Sequence, residues 1–124
     1  MKFLGKFDGS AYFLLRIVFG FLFACHGSQK LFGYPGASQG NLHDPLTLIG
    51  AIVEFTAGVL IFLGLFTRIA GFIASGEMAV AYFMVHAKRG FFPIVNGGEL
   101  AVIYCFVALY IACHGAGKWG VDRS

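Results

Sequence analysis

The stretch Leu46 to Phe66, LTLIGAIVEFTAGVLIFLGLF, is apolar throughout except for Thr47, Thr56 and one carboxylate, Glu54, near its middle. At about 1.5 Å of rise per residue it forms a helix of roughly 31 Å, the thickness of a bilayer's hydrocarbon core. A soluble chain of 124 residues has too little interior to hide several helices this apolar. The bilayer is the better solvent if the pattern repeats, and it does. Spans are expected at about residues 11–32, 46–66, 69–86 and 99–114. The predicted fold is one all-α domain, a transmembrane four-helix bundle, antiparallel and up-and-down.

Composition agrees, with 58% hydrophobic, 17% aromatic and only 12% charged residues, against about 25% charged in an ordinary soluble domain. Fifteen Phe and eighteen Gly suit helices whose backbones approach at small residues while Phe fills the space outside. The net charge of +3 is spread over the chain without a basic face, which argues against nucleic acid as a partner. Cys25, Cys105 and Cys113 lie in apolar stretches without CxxC spacing, so they read as buried small residues. Lys2 and Lys6 ahead of an apolar run resemble a secretory leader. Arg16 interrupts that run and no small-x-small cleavage pattern follows, so it is expected to be retained as the first span.

Each span carries polar groups on one face. In the first, Arg16, Gly20, Phe23, Gly27 and Lys30 fall within roughly 40° of one line, with His26 about 80° from Arg16. That face must look into the protein, since a charge facing lipid costs about 2.5 kcal/mol or more. Gly50, Glu54, Ala57, Gly58 and Ile61 form the corresponding stripe of the second span, and Ala70, Ala74, Glu77 and Ala81 that of the third. Between the first two spans, GYPGASQGNLHDP is an aqueous loop whose Asp44 and Pro45 read as a helix cap and first-turn proline. In the loop before the fourth span, Phe91, Phe92, Pro93 and Ile94 are apolar between polar neighbours, as in a segment dipping into the membrane interface. Asn96, Gly97 and Gly98 then turn the chain, and Glu99 opens the fourth span, where the helix dipole favours a carboxylate. Trp119 suits an interfacial anchor, and the last residues read as a polar tail. Lys2, Lys6, Arg68, Lys118 and Arg123 fall on one side and Lys30, Lys88 and Arg89 on the other. This bias favours a cytoplasmic location for both termini.

The candidate site is the polar set at the outer ends of the spans: His26, Lys30, Glu54, His86, Asn96 and Glu99, with Glu77 deeper and Phe91 and Phe92 as apolar walls. By depth, His26 is the expected partner of Glu54. Arg16 and Arg68 are expected to be structural. A carboxyl that holds its proton in apolar surroundings, at Glu54 or Glu77, suits a proton relay or a hydrogen bond to a ligand. A metal would need His26, Glu54, His86 and Glu99 to converge, and no ligand spacing supports one. The competing reading is that these charges neutralise one another and hold the helices in register.

Four pieces in order, HGSQKLFG (His26 to Gly33), EFTAGVLIFLGLFTRIAG (Glu54 to Gly71), GFFPIVNGGE (Gly90 to Glu99) and GAGKWGVDR (Gly115 to Arg123), resemble the DoxX family of small four-helix membrane proteins. The family's closing motif usually has Ser where this chain has Val121. The resemblance implies a multi-pass protein of the bacterial inner membrane, some of whose relatives are associated with a thiosulfate to quinone oxidoreductase or with sulfur-handling and oxidative-stress proteins. Two functions are then in view. One is a membrane redox component that binds a quinone-like headgroup between the outer helix ends and receives electrons from a soluble or membrane partner. The other is a non-catalytic assembly subunit or small-solute carrier. Beyond the lipid bilayer, association with further copies of the chain is compatible with either.

Overall fold

The computed structural model describes residues 1–36 and 42–122. Residues 37–41 of the first loop, and Arg123 and Ser124 beyond the closing turn, lie outside the described residues. A 3-10 turn over Lys2–Phe7 leads into α1, Asp8–Phe32. The helices α2, Pro45–Leu63, and α3, Thr67–Ala81, follow. A short α4, Pro93–Asn96, precedes α5, Glu99–His114. The described residues contain no strand.

Local chemistry sets the helix ends. The Asp44 carboxylate accepts the Leu46 N–H at 3.3 Å and the Thr47 hydroxyl at 3.1 Å, while Pro45 takes the position that needs no donor. Gly64, at φ 71°, ends α2 at Leu63, short of the Phe66 to which the apolar run extends. Phe66 is then left-handed (φ 50°), and α3 starts at Thr67 rather than Ile69. The third span keeps its α winding only to Ala81. Tyr82–His86 is π-helical and Ala87–Arg89 is a 3-10 turn. The segment expected to dip into the membrane interface includes one helical turn, α4, with Pro93 at its first position.

Lys2–Phe32, Pro45–Leu63 and Thr67–Arg89 are long and apolar enough to cross a membrane, and Glu99–His114 is apolar but shorter. They meet through two kinds of seam. Between α1 and α2 the backbones touch. A methyl built on Gly20 would lie 2.8 Å from the Gly58 carbonyl oxygen, one on Gly27 would lie 2.7 Å from that of Ala51, and one on Gly58 would run into Ala24. Gly71 does the same for α3 against Ala108 and Ala112 of α5. Large rings, by contrast, fill the space between α1 and α5. Tyr104 receives the edges or faces of Phe19, Phe23 and His26, with centroids 5.1, 6.0 and 5.7 Å away. Small residues thus close the narrow seams by dispersion and backbone proximity, and aromatics pack the wide one.

Candidate functional site

At the end bearing the first loop, Lys30 on the last turn of α1 reaches down to Glu54 on α2. Its ammonium donates to both carboxylate oxygens at 3.1 Å. The Glu54 side chain is only 4% exposed, against 25% for Lys30. Lys30 shares the α2-facing side of α1 with Gly27, and its flexible stem lets the charge lie below its own backbone level. His26 packs on Tyr104 instead. Glu77 of α3 completes the group. A methyl on Gly50 would sit 3.4 Å from Glu77 Oε2 and 3.8 Å from Glu54 Oε2, so both carboxyl groups border this glycine. The other oxygen of Glu77, Oε1, is buried and has no hydrogen-bond partner among the described residues. Two carboxyls and one ammonium in apolar surroundings can hold a proton, pass it on or receive a hydrogen-bonding headgroup.

The remaining expected site residues form a separate unit. Asn96, 2% exposed, donates through Nδ2 to the Tyr82 hydroxyl at 2.9 Å and the Gly90 carbonyl at 3.0 Å. Its Oδ1 accepts the Gly98 N–H at 2.8 Å. The His86 Nδ1 lies 3.3 Å from the Asn96 carbonyl oxygen. One buried amide therefore ties the end of the third span to the start of α5. The tie carries an exposed apolar tip, with Phe91 85% and Ile94 76% exposed and Phe92 exposed beside them. Glu99 is also exposed, in the first turn of α5, and does not join Lys30 and Glu54. His26, Glu54, His86 and Glu99 do not converge. Among the described residues no three His, Cys, Asp or Glu side chains are grouped as metal ligands would be.

Polar residues at the opposite end tie helix termini. Arg16, 1% exposed, donates from Nη1 to the carbonyls of Ile61 and Phe62, both at 2.9 Å, and so satisfies the end of α2. Arg68 serves α5 likewise, reaching the carbonyls of Ala112, Cys113 and His114. The Tyr12 hydroxyl donates to Gly115 at 2.6 Å. Asp122, read from sequence as part of a polar tail, accepts the N–H groups of Phe66 at 3.0 Å and Thr67 at 2.8 Å. Its own N–H donates to Gly64 at 2.8 Å. Chiefly through the Thr67 N–H, and also through that of Phe66 and the Arg16 charge, its carboxyl is held below the usual carboxylate range. No local pattern in the sequence announces this role. The one signal is the resemblance of GAGKWGVDR to a family closing motif.

The DoxX family profile matches residues 11–87. A Haemophilus influenzae protein described as uncharacterized is 45% identical over 120 residues, covering 90% of each chain. A second protein of that organism, described in the same words, is 26% identical over 98% of this chain and 87% of its own length. The Bacillus subtilis protein named "Putative oxidoreductase CatD" is 30% identical over 88% of this chain and 82% of its own. No solved structure matches the chain at a significant level. With more than half of its length matched by the profile, and relatives aligned along nearly all of it, the chain belongs to the DoxX family of membrane proteins.

Proposed function

We propose that this chain is a redox-associated subunit of the bacterial inner membrane, which binds a quinone-like small ligand at the outer end of its bundle. The observation that carries the reading is the Lys30–Glu54 ion pair with Glu77 beside it. Ionisable groups inside a membrane helix bundle are costly and mark ligand or proton pathways. Lys30 supplies a donor to a ligand carbonyl, and Glu54 with Glu77 supplies the proton route that two-electron chemistry on such a ligand requires. On this reading the exposed Phe91, Phe92 and Ile94 serve as the apolar lip of the ligand site, with His86 and Asn96 holding them, and His26 and Glu99 belong to the same site. The name of the Bacillus subtilis relative favours a redox context.

The arrangement in the membrane belongs to the same proposal. Gly20 lies by Phe62 and Gly27 by Phe55, while Gly71 lies by Ala112 and Ser75 by Cys105. In each pair one number rises as the other falls, as in an antiparallel up-and-down bundle. α5, roughly 24 Å long by its rise, serves as a fourth span with local thinning of the bilayer. The cation bias puts both termini in the cytoplasm.

The test uses a short-chain ubiquinone analogue as probe, titrated against the purified chain, together with mass spectrometry of gently extracted protein for bound quinone. Phe92→Ala, which removes an apolar wall, should weaken binding about tenfold to a hundredfold with little pH dependence. Glu54→Gln should keep the shape and flatten the pH profile of ligand release. Unchanged ligand content and pH profile in both folded variants would leave the polar group as a packing network, and the assembly-subunit reading would replace this one.

A further inference from the structure

No stretch of the sequence is strongly basic, but the fold brings lysines from its two ends to one corner of the bundle. Lys118, in the turn beyond α5, lays its stem across the first turn of α1. A methyl built on Gly9 would lie 2.7 Å from Lys118 Cε, 3.1 Å from Cδ and 3.4 Å from Nζ. The next residue, Trp119, has a left-handed backbone at φ 58° and sets its ring edge-to-face against Phe13, with centroids 4.8 Å apart. Lys6 lies three positions before Gly9 and Phe13 four after it, so the three follow one side of the helical length that starts at Lys2. Gly9 is thus a notch that admits Lys118, and Phe13 is the surface on which Trp119 rests.

Lys6 springs from the turn next to the one that Lys118 crosses, where Cβ positions stand about 5–6 Å apart. Its ammonium lies 5.4 Å from the centre of the Phe7 ring, and that of Lys118 lies 5.6 Å from the centre of the Trp119 ring. Among the described residues neither lysine has a carboxylate within ion-pair distance. Asp8 is exposed in the first turn of α1 and pairs with neither, while the Asp122 carboxylate is engaged by the Phe66 and Thr67 N–H groups. Met1, Phe3, Leu4, Phe7 and Trp119 are all exposed around the two cations. Tryptophan and lysine at the end of a spanning helix belong at headgroup level, where anionic lipid attracts basic side chains.

We infer that this corner binds one anionic phospholipid, whose phosphodiester sits between the Lys6 and Lys118 ammonium groups and whose acyl chains start beside the Phe7 and Trp119 rings. Two unpaired ammonium groups on one side of a helix repel each other, and an anion shared between them turns that repulsion into attraction. A phosphatidylcholine headgroup brings its own cation to the same place and is disfavoured by the lysines, so the charge of the headgroup sets the selectivity. Gly9 is the positioning residue. Any side chain there meets the far end of the flexible Lys118 stem and pushes the ammonium off α1 without touching backbone. The site lies at the opposite end of the bundle from Lys30 and Glu54, and it holds whether or not a quinone binds there.

Trp119 is the one tryptophan of the chain, so its fluorescence reports on this corner. The full chain is placed in phosphatidylcholine nanodiscs containing a fixed minor fraction of either phosphatidylglycerol or phosphatidylcholine brominated high on its acyl chains. The ratio of Trp119 quenching by the two lipids gives their relative affinity, and a change in the depth of the ring cancels from it. Phosphatidylglycerol should be preferred about five- to thirtyfold at low salt, the attraction of one to two lysines, and less at high salt. Lys118→Gln, and Gly9→Ala, which alters no charge, should each lower the preference about threefold or more. Lys2→Gln, equal in charge to Lys118→Gln, should leave most of it in place. Equal quenching by both lipids in the unaltered protein overturns the inference. So does full preference in Gly9→Ala together with a loss in Lys2→Gln as large as in Lys118→Gln, because the attraction then belongs to the surface charge as a whole. Removal of the preference by millimolar glycerol phosphate would assign the lysines to a free anion and overturn the lipid site as well.

Discussion

Lys30 holds both carboxylate oxygens of Glu54 at 3.1 Å, from a lysine a quarter exposed to a glutamate that is almost fully buried. The pair is unequal, and removing either member should have unequal effects. Lys30→Met leaves a buried carboxylate without its cation and should cost about 3 kcal/mol or more of stability. Glu54→Leu leaves a lysine whose stem can carry its charge outward, and should cost less. Glu54→Lys, which adds a like charge beside Lys30, should be the worst of the three. Thermal unfolding in detergent ranks them, and equal tolerance of Leu and Lys at position 54 would show that Glu54 faces water.

Asp122 should make stability depend on acidity. Its folded-state carboxyl lies below the ordinary value of about 4, so its contribution is complete above that value. It is lost as pH falls through the lower folded-state value. Asp122→Ala should cost about 1 to 2 kcal/mol at neutral pH, as the loss of a helix cap does. Asp122→Asn should lose the acid-dependent part. Melting curves recorded from neutral to strongly acidic pH test this, and parallel curves for the two proteins would remove Asp122 as the source.

The narrow seam predicts a contrast between two glycines. At Gly27 any Cβ meets the Phe55 and Ala51 backbone of α2, so Gly27→Val should force the helices apart at a cost of about 3 kcal/mol. Gly76 has open space within 4 Å of the same construction. Gly76→Ala should stabilise α3 by up to about 1 kcal/mol through helix propensity alone. Similar melting shifts for the two changes would contradict the packing described.

Orientation is tested by labelling single cysteines in a background with Cys25, Cys105 and Cys113 replaced. An impermeant reagent applied outside intact cells should reach Tyr34→Cys at the first loop and miss Lys2→Cys. Labelling of the Lys2→Cys protein alone would invert the topology.

The long helices were legible because apolar runs, small-residue stripes and the Asp44–Pro45 cap are local patterns. The apolar run carried the expected second span to Phe66, past the stop at Gly64, and did not show that Phe66 would be left-handed. Side-chain partnerships were harder to read. Depth counting treats residues as points on an axis and chose His26 for Glu54. His26 lies at the level of Glu54 but its ring faces Tyr104, while Lys30 lies on the α2-facing side and reaches down to the carboxylate. Asn96 was expected in the site, and its further part in holding a loop, through the Tyr82 hydroxyl and the Gly90 carbonyl, has no local signal. Asp122 escaped a local reading because its acceptors serve Phe66 and Thr67, more than fifty positions earlier, and no periodicity connects them. Glu99 opens a helix where it was expected, yet exposure removes it from the buried charges.

The tie between Asp122 and the start of α3 also orders assembly in time. A chain made only through α3 contains Arg16 and the Ile61 and Phe62 carbonyls it serves, but not yet Asp122, the acceptor of the Phe66 and Thr67 N–H groups. Those amides find their acceptor only once the residues beyond α5 have folded back onto the α2–α3 turn. The last-made segment thus locks a corner formed by the middle helices, and a chain lacking it would leave the Phe66 and Thr67 N–H groups without their acceptor.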